Sequence, residues 1–210
     1  MSAKPVLLVT GCRKYEEYLH AAIRRMTRPE WEVIGIVGDG TKAVLNNETR
    51  ILTLAVPDTY EALPTKIHAA FTWIAENRPG IPGVFKTDDD LLFDMNALAK
   101  TVQANLAQPY WGVAAGVCKA APVNPARIAY RFNDTSLKPS HQTAAYCFGW
   151  GYWISKDMIP HIVAAATDYQ TSYLEDVCTG YVLNQKGVTP VRILIPYKEC
   201  PRVPGLLAIK

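Results

Sequence analysis

Three consecutive carboxylates, Asp88-Asp89-Asp90, close a short apolar run of β character, Val84-Phe85, and precede Leu91-Leu92-Phe93. Three adjacent negative charges repel one another, so packing alone gives no reason to set them at the end of a buried strand. A divalent cation supplies a reason, because hard oxygen ligands and the ion offset each other's charge. In open α/β sheets, ligands bind just outside the carboxyl ends of the strands, which is where this run falls. Side chains alternate along an extended chain, so Asp88 and Asp90 point the same way. They form a possible pincer for one metal ion and for the diphosphate it would bridge. The competing reading is a solvated acidic turn.

Two further clusters could carry chemistry. In Tyr146-Cys147-Phe148-Gly149-Trp150-Gly151-Tyr152-Trp153 two glycines interrupt an aromatic run. Glycine weakens a strand unless something must approach the backbone closely. Rings beside bare backbone suit the apolar face of a sugar or a base, which makes Gly149, Trp150 and Gly151 candidate contacts. A core strand with a bulge explains the same residues without a ligand. The second cluster, Leu174-Glu175-Asp176-Val177, opens an otherwise apolar helix. Acidic residues in a first turn ordinarily complement the helix dipole, so taken alone this pair reads as structural.

These clusters need a scaffold, and the periodicity of the chain outlines one. A buried strand is expected over 5–10, closed by Thr10-Gly11. A helix over 15–26 then carries Tyr15, Leu19, Ala22, Ile23 and Met26 at helical spacing. Strands follow at 32–37 and 50–55. Asp58 or Thr59 can cap a helix in which Leu63, Ile67, Ala70, Phe71 and Ile74 keep a 3.6-residue period, with Pro64 in its first turns. The strand over 83–87 leads into the acidic run, and Asp94 sits where a helix N-cap belongs. That order, βαββαβ, predicts a mainly parallel sheet between helical layers. Beyond it come a helix from 95, a strand over 111–117 and an irregular surface excursion over 120–143. A strand over 144–154, helices over 155–166 and 173–185 and a strand over 191–195 complete the pattern. The tail from 197 shows no period.

Composition narrows the class. With 210 residues, 49% of them hydrophobic, the chain can bury one sizeable core, so a single domain over 1–210 is expected. The net charge of +3 is mild and no Lys/Arg block stands out, which argues against nucleic acid as a partner. The N-terminal stretch before the first strand is too short for a leader. No apolar run approaches the ~20 residues of a transmembrane helix. The five cysteines, Cys12, Cys118, Cys147, Cys178 and Cys200, are odd in number and widely spaced. Reduced thiols in a cytosolic compartment fit that usage better than a disulfide framework or a zinc site.

Taken in order, the motifs resemble those of the family-31 glycosyltransferases, the β-1,3-galactosyltransferase and Fringe-like group. Lys86-Thr87-Asp88-Asp89-Asp90-Leu91-Leu92-Phe93 is similar to that family's Lys-x-Asp-Asp-Asp motif. Tyr146-Cys147-Phe148-Gly149-Trp150-Gly151-Tyr152-Trp153-Ile154-Ser155 is similar to its Tyr-Cys-x-Gly-x-Gly-Tyr-x-x-Ser segment. Glu175-Asp176-Val177-Cys178-Thr179-Gly180 looks like its Glu-Asp-Val-x-x-Gly motif. Weaker matches, Ala22-Ile23-Arg24 and Tyr60-Glu61-Ala62-Leu63-Pro64-Thr65-Lys66, precede them, and the resemblance covers about residues 15–187.

The resemblance implies a GT-A fold and sugar transfer from a nucleotide diphosphate, usually UDP, to an acceptor hydroxyl of a glycan or glycoconjugate, with Mn2+ or Mg2+. Residues 1–94 would form a nucleotide-binding half and 95–210 an acceptor half. Asp90, with Asp88, would hold the metal, and Asp88 and Asp89 would lie near the nucleotide. Asp176 maps onto the catalytic base, with Glu175 beside the acceptor. One base, one metal and no second nucleophile imply inversion. The loop Thr10-Gly11-Cys12-Arg13 would hold the nucleotide, with Arg13 or Lys66 near phosphate or uracil.

Two departures from the family pattern stand out. No histidine lies beyond His161 to serve as a C-terminal metal ligand. Family members of the secretory pathway carry a membrane anchor and disulfides, so a cytosolic bacterial or viral enzyme is expected here, as part of a larger multidomain protein if acceptor elements are missing. Alternatives are a retaining transferase on the same fold and a nucleotide-sugar binder without activity. A dehalogenase-type phosphatase would need threonine or valine where Leu92 stands, and a nucleotidyltransferase a loop richer in glycine than Gly11-Cys12-Arg13.

Overall fold

The computed structural model describes residues 3–118 and 144–200. The first half holds β1 (Val6–Thr10), α1 (Glu16–Met26), β2 (Glu32–Val37), β3 (Val44–Asn46), β4 (Ile51–Thr53) and α2 (Leu63–Asn77). The acidic run is flanked by β5 (Gly83–Asp88) and β6 (Leu91–Phe93), and α3 (Met95–Ala104) follows. After it come β7 (Tyr110–Gly112), β8 (Ala115–Cys118), β9 (Ala144–Cys147) and β10 (Gly151–Ser155). The last elements are α4 (Ile159–Val163), α5 (Ala166–Gln170), α6 (Glu175–Asn184), β11 (Val191–Arg192) and β12 (Tyr197–Glu199).

Every residue of β1 is buried, which requires a layer on each face of the sheet. Among the described residues that sheet has eight strands in the order β11-β7-β10-β5-β1-β2-β4-β3. β2 and β5 flank β1 in parallel, and only β10 and β3 run against the rest. Alternation then sorts the side chains. Leu8, Ile34, Val84 and Tyr152 face the layer of α2, α4, α5 and α6, while Leu7, Val9, Val33 and Phe85 face α1 and α3. This is the GT-A arrangement of a mixed, mostly parallel sheet between helices.

Some elements follow the periodicity and others depart from it. The polar stretch 46–49 is a turn, because Asn46 Oδ1 accepts from the Glu48 and Thr49 N–H groups. It lets β3 fold back on β4 at the sheet edge. The expected strand over 111–117 divides: β7 stays in the main sheet, while β8 leaves it to pair with β9. The expected strand over 144–154 divides too, since a turn closed by Gly151 N–H on Phe148 O ejects residues 148–150 from the sheet. Asp58 does not cap α2, being drawn to other partners described below. Asp94 does cap α3, accepting from Asn96 and Ala97 N–H at 3.0 Å each. The helix over 155–166 is broken into a short turn and α4, and the tail from 197 contributes β12, paired with β6. The excursion over 120–143 lies outside the described residues.

Candidate active site

Because β1, β2 and β5 are parallel, Thr10, Val37 and Asp88 end along one edge of the sheet. A cavity of about 670 Å3 opens at that edge, a size suited to a nucleotide-sized ligand. One wall is Thr10-Gly11-Cys12, after β1, with Tyr15 and Tyr60 beside it. Asp88 and Asp90 come from the end of β5, Phe148-Gly149-Trp150 from the loop before β10, and Leu174-Glu175-Asp176 from the start of α6.

Alternation along β5 places Lys86 on the same face as Val84 and Asp88, directly opposite Tyr152 in the register of β10. Lys86 is 1% exposed. Its ammonium donates to Asp88 Oδ1 at 2.7 Å, Gly149 O at 2.7 Å and Glu175 Oε1 at 2.9 Å. Burial alone would lower its pKa, but the carboxylates of Asp88 and Glu175 outweigh that and hold it above the ordinary lysine range. Glu175, itself 3% exposed, takes a second hydrogen bond from Tyr152 Oη at 2.8 Å. Both its oxygens are therefore occupied.

Asp176 is placed differently. It is half-buried on the cavity wall, and among the described residues its carboxylate accepts backbone N–H groups alone, from Gly149 at 3.0 Å and Val177 at 2.8 Å. Burial first, and then the charge of Glu175, push its carboxyl up to about 7. A carboxylate with that value is matched to taking a proton near neutral pH. The buried Cys147 thiol is pushed up to about 12 by desolvation, which leaves it inert as a nucleophile.

The acidic run bends at its second residue. Asp89 is buried, with its N–H on Thr10 O at 3.1 Å, and does not line the cavity. Asp88 and Asp90 do. The residues flanking β12 hold the turn from outside, through Cys200 N–H on Asp90 O at 2.6 Å and Asp94 N–H on Pro196 O at 3.1 Å. Among the described residues no three His, Cys, Asp or Glu side chains gather as a metal site. Two carboxylates facing an open cavity match the oxygen chemistry of Mg2+ or Mn2+ completed by phosphate and water, and not an all-protein cage.

On the β1 side the basic residues brace the loop. Lys66, 2% exposed, donates to Gly11 O at 3.1 Å and pairs closely with Asp58. Asp58 also accepts from Gly38 N–H at 2.7 Å and from Arg13 N–H. Burial works to raise its pKa, but these donors prevail and hold it below the usual carboxylate range. The Arg13 side chain turns to Glu16 at 2.7 Å and Thr53 at 2.8 Å and does not line the cavity. Thus Thr10, Cys12, Lys66, Asp88 and Asp90 share one cavity with Gly149, Trp150, Glu175 and Asp176, whereas Arg13, Asp89 and Gly151 stand outside it. A Cβ on Gly151 would press on Phe93 and Phe85 at 2.8 and 3.0 Å, so its glycine is explained by core packing. Lys86, Tyr152 and Asp58 were not legible as site residues. The signals for Lys86 are its place at the head of the Lys-x-Asp-Asp-Asp motif and a charge in a strand otherwise buried.

The galactosyltransferase family model matches residues 33–193. The chain belongs to the galactosyltransferase family. Among its curated relatives, β-1,3-galactosyltransferase 2 of Homo sapiens is 27% identical over 64% of this chain and 32% of that protein. UDP-GalNAc:β-1,3-N-acetylgalactosaminyltransferase 1 of Homo sapiens is 28% identical over 66% of this chain and 41% of its own length. The matches thus span well under half of these relatives. Among solved structures, the galactosyltransferase LgtC, in complex with donor and acceptor sugar analogs, is similar at a TM-score of 0.48 and 13% identity, over 89% of this chain and 73% of that one. A manganese complex from Mycobacterium tuberculosis gives 0.47 and 11%, over 92% and 89%.

The relatives correct one expectation. A cytosolic chain of bacterial or viral origin does not agree with them, since these members of the galactosyltransferase family are animal enzymes. That expectation rests on the N-terminal stretch and on unpaired cysteines, and neither determines a compartment. No helix among the described residues is long and apolar enough to cross a membrane.

Proposed function

We propose that this chain transfers a sugar from a UDP-sugar to a hydroxyl of a glycan or glycoconjugate, with inversion at the anomeric carbon. Asp176 is the base, and Asp88 and Asp90 are the carboxylates that would hold Mn2+ or Mg2+. One observation carries the reading: Asp176, its carboxyl raised to about 7, lines the same cavity as the two strand-end aspartates. The acceptor oxygen bonds to the anomeric carbon as its proton passes to Asp176. The bond from that carbon to the diphosphate breaks with its electron pair on UDP. A divalent ion, when bound, neutralises charge on the departing diphosphate.

The chain's own residues divide the remaining work. Thr10 and Cys12 line the nucleotide side within 1–94, on a loop that Lys66 and Asp58 keep in place. Gly149 and Trp150 line the acceptor side within 95–210. Trp150 is 43% exposed beside Phe148 and Tyr197, at 5.3 and 6.3 Å between ring centroids, so part of its ring is left to meet the apolar side of a sugar. The test is a screen of nucleotide sugars with Mn2+, by melting temperature and then by product. UDP and Mn2+ together should raise the melting temperature where Mn2+ alone does not, and the product of an α-linked donor should be β-linked. An α-linked product would instead indicate retention, and no stabilisation by any nucleotide sugar would sink the proposal.

A further inference from the structure

A lysine buried to 1% exposure is tolerated only when its charge is paired and its donors are satisfied. Lys86 has three N–H donors and three acceptors, and these belong to three different segments: Asp88 at the end of β5, Gly149 in the loop before β10, and Glu175 in the first turn of α6. Charge balance alone accounts for the two carboxylates. It does not account for the Gly149 carbonyl at 2.7 Å. Gly149 in turn donates its own N–H to Asp176 Oδ2 at 3.0 Å. One unbroken chain of contacts therefore runs from Asp88 through Lys86 and Gly149 to Asp176.

We infer that Lys86 is a positioning residue that fixes where Asp176 stands relative to the strand-end carboxylate Asp88. This rests on the reading of Asp176 as the base. The compact ammonium suits the task because it can aim donors in three directions, which the planar fork of arginine cannot. The loop it holds has no slack. A Cβ on Gly149 would lie 2.8 Å from Glu175 Oε1 and 3.4 Å from Lys86 Nζ, so Gly149 rests directly on the ion pair. Glu175 is kept from swinging by Tyr152 at 2.8 Å, and Thr87 Oγ1 pins the next residue of the loop through Trp150 O at 2.8 Å. The donor side and the acceptor side of the cavity are thereby set by a single side chain that does not itself reach the reacting atoms.

Lys86→Met alone leaves Glu175 charged in the core and is expected to unfold. The informative protein is Lys86→Met/Glu175→Gln, which removes both charges and keeps the volume. Its melting temperature should stay near that of the wild type. Amide exchange at Gly149 should speed up by about tenfold or more while the strand amides of β1 and β10 stay protected. Turnover should fall on the order of 100-fold, the scale of a misplaced reacting group, with the KM for UDP-sugar changed less than about threefold. If the double variant regains turnover along with stability, or if Gly149 exchange is unchanged, Lys86 is only a counter-ion and the inference is overturned. A wild-type protein that transfers no sugar would sink the proposed function instead, and the Gly149 exchange result would still decide whether Lys86 holds the loop.

Discussion

The carboxylate of Glu175 is closed off by Lys86 at 2.9 Å and Tyr152 at 2.8 Å, whereas its neighbour Asp176 receives, among the described residues, the backbone N–H groups of Gly149 and Val177 alone. Adjacent residues on one helical turn thus have opposite fates. The first is held in an ion pair with Lys86 in the core and the second faces the cavity with an elevated affinity for a proton. Separating two carboxylates in this way is how a site assigns one of them to proton transfer.

Asp176→Asn keeps the side-chain shape and removes the proposed base. The kcat should fall by about 100- to 10,000-fold, while UDP affinity in Mn2+, measured by calorimetry, stays near that of the wild type. Parallel loss of binding and turnover would return Asp176 to a structural role.

The raised carboxyl also predicts two pH dependences. Activity needs the ionised form, so kcat/KM should climb through an acid limb centred near 7 and level off above it. Stability runs the other way. The folded state keeps the Asp176 proton up to about 7, whereas the unfolded chain releases it near 3.8. This stabilising contribution is complete below the lower value and is lost as pH rises through the upper one. Urea midpoints across that window should fall less steeply in Asp176→Asn than in the wild type.

Gly149→Ala tests the closeness of the loop to the ion pair. The added carbon would lie 2.8 Å from Glu175 Oε1, an overpacking expected to cost about 1–3 kcal/mol. The same shift moves the N–H that aims Asp176, so turnover should drop further than the change in folded fraction explains. Denaturation and initial rates on the same samples separate the two effects.

Asp90→Ala should abolish the joint stabilisation by UDP and Mn2+ seen by melting temperature, measured against the variant's own apo value. A retained shift would assign the ion to other residues. If Asp88→Ala also lowers the apo value, the difference reports its bond to Lys86.

Asp58→Ala should destabilise the fold by about 3–5 kcal/mol, the usual cost of breaking a buried pair from one side. Its side chain and that of Lys66 are both 3% exposed. Urea unfolding measures the loss, and Asp58→Ala/Lys66→Met should recover part of it.

Much of this was visible in residue order because the relevant periods are long and regular. The buried run of β1 and the apolar stripe of α2 could be read directly, as could the cap at Asp94, since each is a local pattern with one physical meaning. The breaks at 113–114 and 148–150 could not. They arise where β8 and β9 leave the main sheet to pair with each other, a tertiary choice that leaves no mark on local propensity. The same holds for Asp58, whose side chain could cap a helix but meets Lys66, Gly38 and Arg13 in the fold. Lys86 was quoted within a motif, yet its three partners lie up to 89 residues away, and no spacing rule links them.

The pairing of β12 with β6 has a consequence for synthesis. The acidic turn leaves the ribosome about a hundred residues before the segment that braces it through Cys200 N–H and Pro196 O, a delay of roughly 5–20 s at the usual pace of translation. During that interval the parallel strands from β1 to β5 can assemble, but the turn at Asp90 lacks its outer brace. In order of synthesis, the parallel strands that carry Thr10 and Asp88 therefore precede the segment that braces the turn between them and β6.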